Sequence, residues 1–162
     1  MSESIVYDAG TKPAPEELLA FYERQSHRTT QDVEKLRRMI DNTFCFVAAR
    51  RGGELIGWAR GVTDGVRGRL AECKRVPGTS GPACVTHTDG RIEHDSGGIA
   101  HEMATRVVKS LRAFGAERID ALAYGTEVDF CEELGFRPLK GVTAMELDSS
   151  TPVPPGSVGQ PS

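Results

Sequence analysis

No run of apolar residues in this chain approaches the roughly 20 needed to cross a bilayer, so no membrane-spanning helix is expected. Met1-Ser2-Glu3-Ser4 lacks the basic and apolar regions of a secretory leader, and a cytoplasmic location is the expectation. Positive charge is not in excess either. Twenty Lys and Arg stand against twenty-three Asp and Glu, a net charge of −3 that offers no long-range pull on a polyanion. Neither nucleic acid nor an anionic membrane is expected as a partner. Cysteine is sparse: Cys45, Cys73, Cys84 and Cys131 form no Cys-x-x-Cys pair, which argues against a disulfide framework and a four-cysteine zinc site. Buried, reduced thiols are the simpler expectation.

What is present suits one domain. With 162 residues and 38% hydrophobic content, the chain can build one sizeable core over residues 1–148. From Ser149 onward the composition turns polar and proline-rich, and residues 149–162 are expected to form a disordered tail.

Ser4 to Asp8 reads as a first strand, and Pro15-Glu16-Glu17 as the first turn of a helix whose apolar face carries Leu18, Leu19 and Tyr22. A second helix is expected to start after Thr29 or Thr30, run through Val33, Leu36 and Ile40, and stop near Asn42. Phe44 to Ala49 and Leu55 to Val62 are strand-like runs joined by the turn Arg51-Gly52-Gly53-Glu54, with Trp58 packed in the sheet. Arg69 to Val76 is the next strand. Asp89-Gly90 then sits between Cys84–Thr88 and Arg91–His94, which predicts a hairpin with a two-residue turn and Thr86 opposite Glu93; an alternative puts residues 83–88 into the main sheet. His87, Glu93, His94 and Asp95 fit the polar edge of such a hairpin, and no metal centre is expected.

The most informative stretch follows. Gly97 and Gly98 run into Ile99, Met103, Val107, Leu111 and Phe114, whose spacing of four, four, four and three puts one apolar stripe along a helix ended by Gly115. A helix start leaves N–H groups unpaired and carries the positive end of the dipole, so glycines there let an anion approach closely, although a tight turn alone would explain the pair. Arg118 to Tyr124 is strand-like, Thr126 can cap a helix carrying Val128, Phe130, Cys131 and Leu134, and Phe136 to Pro138 and Val142 to Leu147 are expected to form closing strands.

Two of these stretches together, Asp95-Ser96-Gly97-Gly98-Ile99-Ala100 and Phe130-Cys131-Glu132-Glu133-Leu134-Gly135-Phe136, resemble the motifs of the GCN5-related N-acetyltransferases (GNAT). The resemblance covers roughly residues 5 to 147. It implies an α/β (α+β) fold: a mixed, mostly antiparallel central sheet with helices on both faces and a splay between the fourth strand and the strand after the long helix. Here a hairpin would be inserted before that long third helix.

By the same resemblance, acetyl-CoA or another acyl-CoA would lay its pantetheine arm along Cys73, Lys74 and Arg75. Its diphosphate would meet the backbone of Gly97, Gly98, Ile99, Ala100, His101 and Glu102. The reaction would be acetyl transfer to a primary amine of a small molecule or peptide, with His27 and Arg28 in a wall of the acceptor site unless they are ordinary loop residues. Glu72 is the candidate proton acceptor, unless it lies on a solvent face or pairs with Lys74 or Arg75.

The chain departs from the motifs at two places. Cys131 stands where the family often has the tyrosine that protonates the leaving thiolate, with Tyr124 as a substitute, and Asp95 stands where Gln or Arg opens the phosphate motif. A catalytically silent acyl-CoA-binding or regulatory module, and a structural protein that kept only the fold, therefore stand beside the enzyme reading. A homodimer is left open.

Overall fold

In the computed structural model, which describes residues 4–24, 30–76, 85–86, 92–93, 98–123 and 127–155, Gly52 (φ 58°) and Gly53 (φ 81°) turn one long strand back on another. Glycines, with no Cβ, accept that pair of angles at no steric cost. Around this hairpin the elements run β1 (Ile5–Asp8), α1 (Pro15–Arg24), α2 (Val33–Asp41), β2 (Cys45–Arg51), β3 (Glu54–Thr63), β4 (Arg67–Arg75), β5 (Val85–Thr86), β6 (Ile92–Glu93), α3 (Ile99–Phe114), β7 (Arg118–Asp120) and α4 (Glu127–Glu133). The main sheet has the order β1-β2-β3-β4-β7, antiparallel except for the parallel β4–β7 pair that α3 connects.

The sheet is covered on both faces. On one, Leu18, Phe21 and Tyr22 of α1 and Leu36 and Ile40 of α2 bury against Phe46, Ala48, Leu55 and Trp58. On the other, Ile99, Met103, Val107 and Leu111 bury along α3 against Val47, Ala49, Ala59 and Leu70, with Phe130 of α4 beside them. Burying each such side chain stabilises the fold by about 1.5–3 kcal/mol. α3 lies close to the sheet because glycines stand beneath it: a Cβ on Gly57 would come within 2.8 Å of Met103, and one on Gly61 within 2.8 Å of Val107.

The expected mixed sheet, two-faced helical cover and hairpin insertion are all present, and several details differ. The α2 cap is Asp32, whose carboxylate accepts from the N–H groups of Glu34 and Lys35; Thr30 instead caps Asp32 itself. Phe114 leaves the α3 stripe and is 55% exposed, with its ring 4.5 Å from that of Phe44. Among the described residues β5 and β6 pair only with each other, in the register Val85↔Glu93 and Thr86↔Ile92 rather than Thr86 with Glu93. The Asp89-Gly90 turn expected between them lies outside the described residues.

The strand after α3 pairs over Arg118–Asp120 alone, because its partner β4 is bent just beyond by a bulge. The closing strands at 136–138 and 142–147 do not form. Pro138 removes a ladder donor, and the second segment stays exposed, with Met145 91% accessible.

Candidate functional site

β4 is paired unequally along its two edges. Toward β3 the ladder runs from Gly68 to Arg75 and is prolonged by the Val76 N–H donating to the Ile56 carbonyl. Toward β7 it stops at Arg69, so from Leu70 to Lys74 this edge has no strand partner among the described residues. That is the expected splay, and it leaves main-chain donors and acceptors that an extended ligand could use.

The same bulge aims the side chains. Arg60 pairs with Glu72 and Gly61 with Leu70, which leaves Ala71 as the extra residue on β4 and reverses the parity of the strand beyond it. Leu70 and Cys73 consequently face α3, and Glu72 faces α1.

On the α3 face, the Cys73 thiol donates to the Ala100 carbonyl at 3.3 Å, tying the open strand edge to the first turn of the helix. Gly98 is the α3 N-cap (φ −73°, ψ 162°), and among the described residues no side chain caps it. Glu102 already donates its N–H to the Gly98 carbonyl at 3.0 Å, so the donors left open by helix geometry belong to Ile99, Ala100 and His101. The Glu102 side chain pairs with Arg106 at 2.8 Å. A helix start with open N–H groups beside a strand edge with no strand partner is an arrangement that suits an anion and an extended chain.

Cys131 lies half-buried on α4 and packs against the same core face as Cys73. Burial, and then the charge of Glu127, raise its thiol above the usual range; burial pushes the Cys73 thiol up to about 12. Both therefore remain protonated near neutrality, and Cys131 has a proton to give. The Leu-Gly-Phe motif ends α4: Gly135 takes φ 100°, the Phe136 N–H donates to the Cys131 carbonyl at 3.0 Å, and Leu134 and Phe136 pack on the core.

On the α1 face, Oε1 of Glu72 accepts from the Tyr22 hydroxyl, from Trp58 Nε1 at 2.9 Å and from Arg60 Nε at 3.1 Å. Glu72 is neither on a solvent face nor paired with Lys74 or Arg75: its side chain is 11% exposed and that of Arg60 is 18% exposed. Tyr22 and Trp58 are fully buried. Burial first, then the Glu72 charge and hydrogen bond, hold the Tyr22 phenol far above its ordinary value, so it acts as a donor. Sequence reasoning missed Tyr22, Trp58 and Arg60 as partners of Glu72. The available signal was that buried phenol and indole groups need acceptors, and that Trp58 and Arg60 share one face of β3.

The structure thus brings together Cys73, Cys131 and the backbone of Gly98 to His101 on one face, and sets Glu72 on the other. Lys74 and Arg75 stand on β4 beyond the bulge, opposite Trp58 and Gly57 of β3. His27, Arg28, Gly97 and Tyr124 lie outside the described residues, as do His87, His94 and Asp95. Among the described residues no group of acidic, histidine and cysteine side chains could hold a metal ion.

No family model matches the sequence, and no curated protein does. Solved structures do match. A GNAT-family acetyltransferase from Streptococcus pneumoniae TIGR4 superposes with a TM-score of 0.67 at 19% identity, covering 91% of this chain and 100% of that one. A predicted acetyltransferase from Clostridium acetobutylicum, solved with acetyl-CoA, gives 0.64 at 14% identity over 88% and 96%. An aminoglycoside N-acetyltransferase in complex with CoA gives 0.61 at 11% identity over 91% and 97%. With the splayed sheet, the long third helix and these neighbours together, the fold of this chain is the GNAT acetyltransferase fold.

Proposed function

We propose that this protein is an acyl-CoA-dependent N-acyltransferase that moves an acetyl group from acetyl-CoA to a primary amine. The observation that carries the reading is the juxtaposition, on one face, of the Leu70–Lys74 edge, which has no strand partner among the described residues, with the start of α3. The acyl-CoA supplies an activated thioester. The open N–H groups of Ile99, Ala100 and His101 hold its diphosphate with help from the helix dipole, and Gly98 keeps side-chain atoms out of the way. Backbone groups of Cys73, Lys74 and Arg75 orient the arm, and any main-chain N–H they aim at the carbonyl stabilises the charge that develops there.

Glu72 takes the proton of the attacking amine from the opposite face of β4, and Cys131 returns a proton to the departing thiolate, with Tyr124 the alternative donor. His27 and Arg28 belong to the wall of the acceptor site. The acceptor is a small molecule or a peptide. The neighbours solved with acetyl-CoA and CoA support the choice of cosubstrate.

A catalytically silent acyl-CoA-binding module is the second reading, favoured by a thiol at the position of the usual tyrosine: a thiol is a weak hydrogen-bond donor. Isothermal titration with acetyl-CoA tests both readings, which expect saturable binding; no heat at millimolar ligand eliminates them together. Release of CoA thiol over a panel of amines then separates them, since only the enzyme produces it.

A further inference from the structure

Stability alone gives no reason for a carboxylate at position 72. Burying it beside Trp58 and Tyr22 carries a desolvation cost, and replacing a buried charged cluster by well-packed apolar residues is often neutral or stabilising. Yet three donors from two elements, Tyr22 on α1 and both Trp58 and Arg60 on β3, converge on a single oxygen of Glu72. Three donors are more than the two lone pairs of Oε1 ordinarily serve, so that oxygen has no accepting capacity left. Among the described residues none donates to Oε2, and the side chain keeps 11% of its exposure.

We propose that Tyr22 and Arg60 are positioning residues: by occupying Oε1 they fix the rotamer of Glu72 and leave Oε2 as the one oxygen that meets the incoming amine. The inference rests on the acyltransferase reading and adds to it the parts that aim the proton acceptor. Because the acceptor oxygen is chosen by donors on α1 and β3, the aim depends on how α1 seats against the sheet. Trp58, the single tryptophan of the chain, sits inside the cluster and reports on it by its fluorescence.

The test is a double-mutant cycle on the full chain. CoA release is followed with spermidine, kanamycin and a lysine-containing peptide, and the fastest amine is kept. Tyr22→Phe is expected to lower kcat about tenfold or more, as small misplacements of a catalytic group do, with the acetyl-CoA Kd within about twofold of wild type. In the Glu72→Gln background the same change is expected to cost less than about twofold, because there is no longer a carboxylate to aim. Arg60→Lys is expected to lose as much as Tyr22→Phe, and Trp58 emission is expected to shift in each variant that breaks the cluster. Thermal melting and acetyl-CoA binding identify any variant that has simply unfolded, in which case Arg60→Lys carries the cycle in place of Tyr22→Phe.

An equal loss from Tyr22→Phe in both backgrounds, or no loss in either, overturns the inference and leaves Tyr22 a core residue. Binding of acetyl-CoA without turnover of any of the three amines overturns it in favour of the silent module. A wild-type protein that binds no acetyl-CoA brings down the functional reading first.

Discussion

Glu72 and Cys73 are neighbours in the chain and serve opposite faces of the sheet. Glu72 points toward α1 into a cluster of polar donors, and Cys73 points toward α3 into an apolar core with a single hydrogen bond to Ala100. One strand thus carries a polar anchor and an apolar contact back to back, with the bulge at Ala71 deciding which residue faces which side. The difference teaches that the two faces respond to substitution by different physics. On the α1 face an unmatched charge is what costs, whereas on the α3 face volume is.

The largest effect is expected where the carboxylate is removed. Glu72→Leu leaves the Arg60 guanidinium, the Tyr22 hydroxyl and the Trp58 N–H without their common acceptor, and should cost about 3 kcal/mol in chemical denaturation. Cys73→Ala, one residue on, should cost about 1 kcal/mol, because it deletes one small half-buried group. Equal losses at the two positions would erase the contrast between the faces.

Gly61→Ala examines volume on the α3 face. Its new methyl would meet Val107 at 2.8 Å, the Cys45 sulfur at 2.9 Å and Leu111 at 3.2 Å. Overpacking of this kind should destabilise by about 1–3 kcal/mol and lift α3 from the sheet, which thermal melting and near-ultraviolet circular dichroism would both record.

Alkaline pH gives a smaller effect with a defined sign. The Cys73 thiol titrates at about 12 in the folded chain, whereas an unfolded thiol ionises near about 8.5. The stability this provides is whole below the unfolded value and is lost as pH rises from there toward the folded value. Denaturation midpoints at pH 8 and pH 10 should show a drop of about 2 kcal/mol that Cys73→Ala removes, superposed on a loss of the same sign from Cys45, which burial raises to about 11.

The smallest effect is reserved for an exposed pair. Glu102→Ala breaks the bond to Arg106, and should change stability by less than about 0.5 kcal/mol.

These expectations also mark what could be read in advance. α3 was legible because Ile99, Met103, Val107 and Leu111 repeat at helical spacing and Gly115 takes the left-handed conformation, φ 113°, that stops it. The start of β4 and the face of Glu72 were not, because the bulge falls on Ala71, a residue with no turn chemistry. The closing strands expected at 136–138 and 142–147 do not form: Pro138 lacks a ladder donor, and Val142, Met145 and Leu147 stay exposed rather than packing on the core. The anchor around Glu72 joins residues 22, 58, 60 and 72, and only the fold brings α1 over β3 and β4. Local pattern carried the elements, and the polar contacts came from their packing.

Hydrogen–deuterium exchange with and without acetyl-CoA tests the central claim most directly, because it reads the main chain where the ligand is proposed to sit. Saturating acetyl-CoA should slow exchange at residues 70–75 and 98–101 together, with α1 and β1 unchanged. Exchange at both segments that stays the same while the ligand is bound would contradict the account.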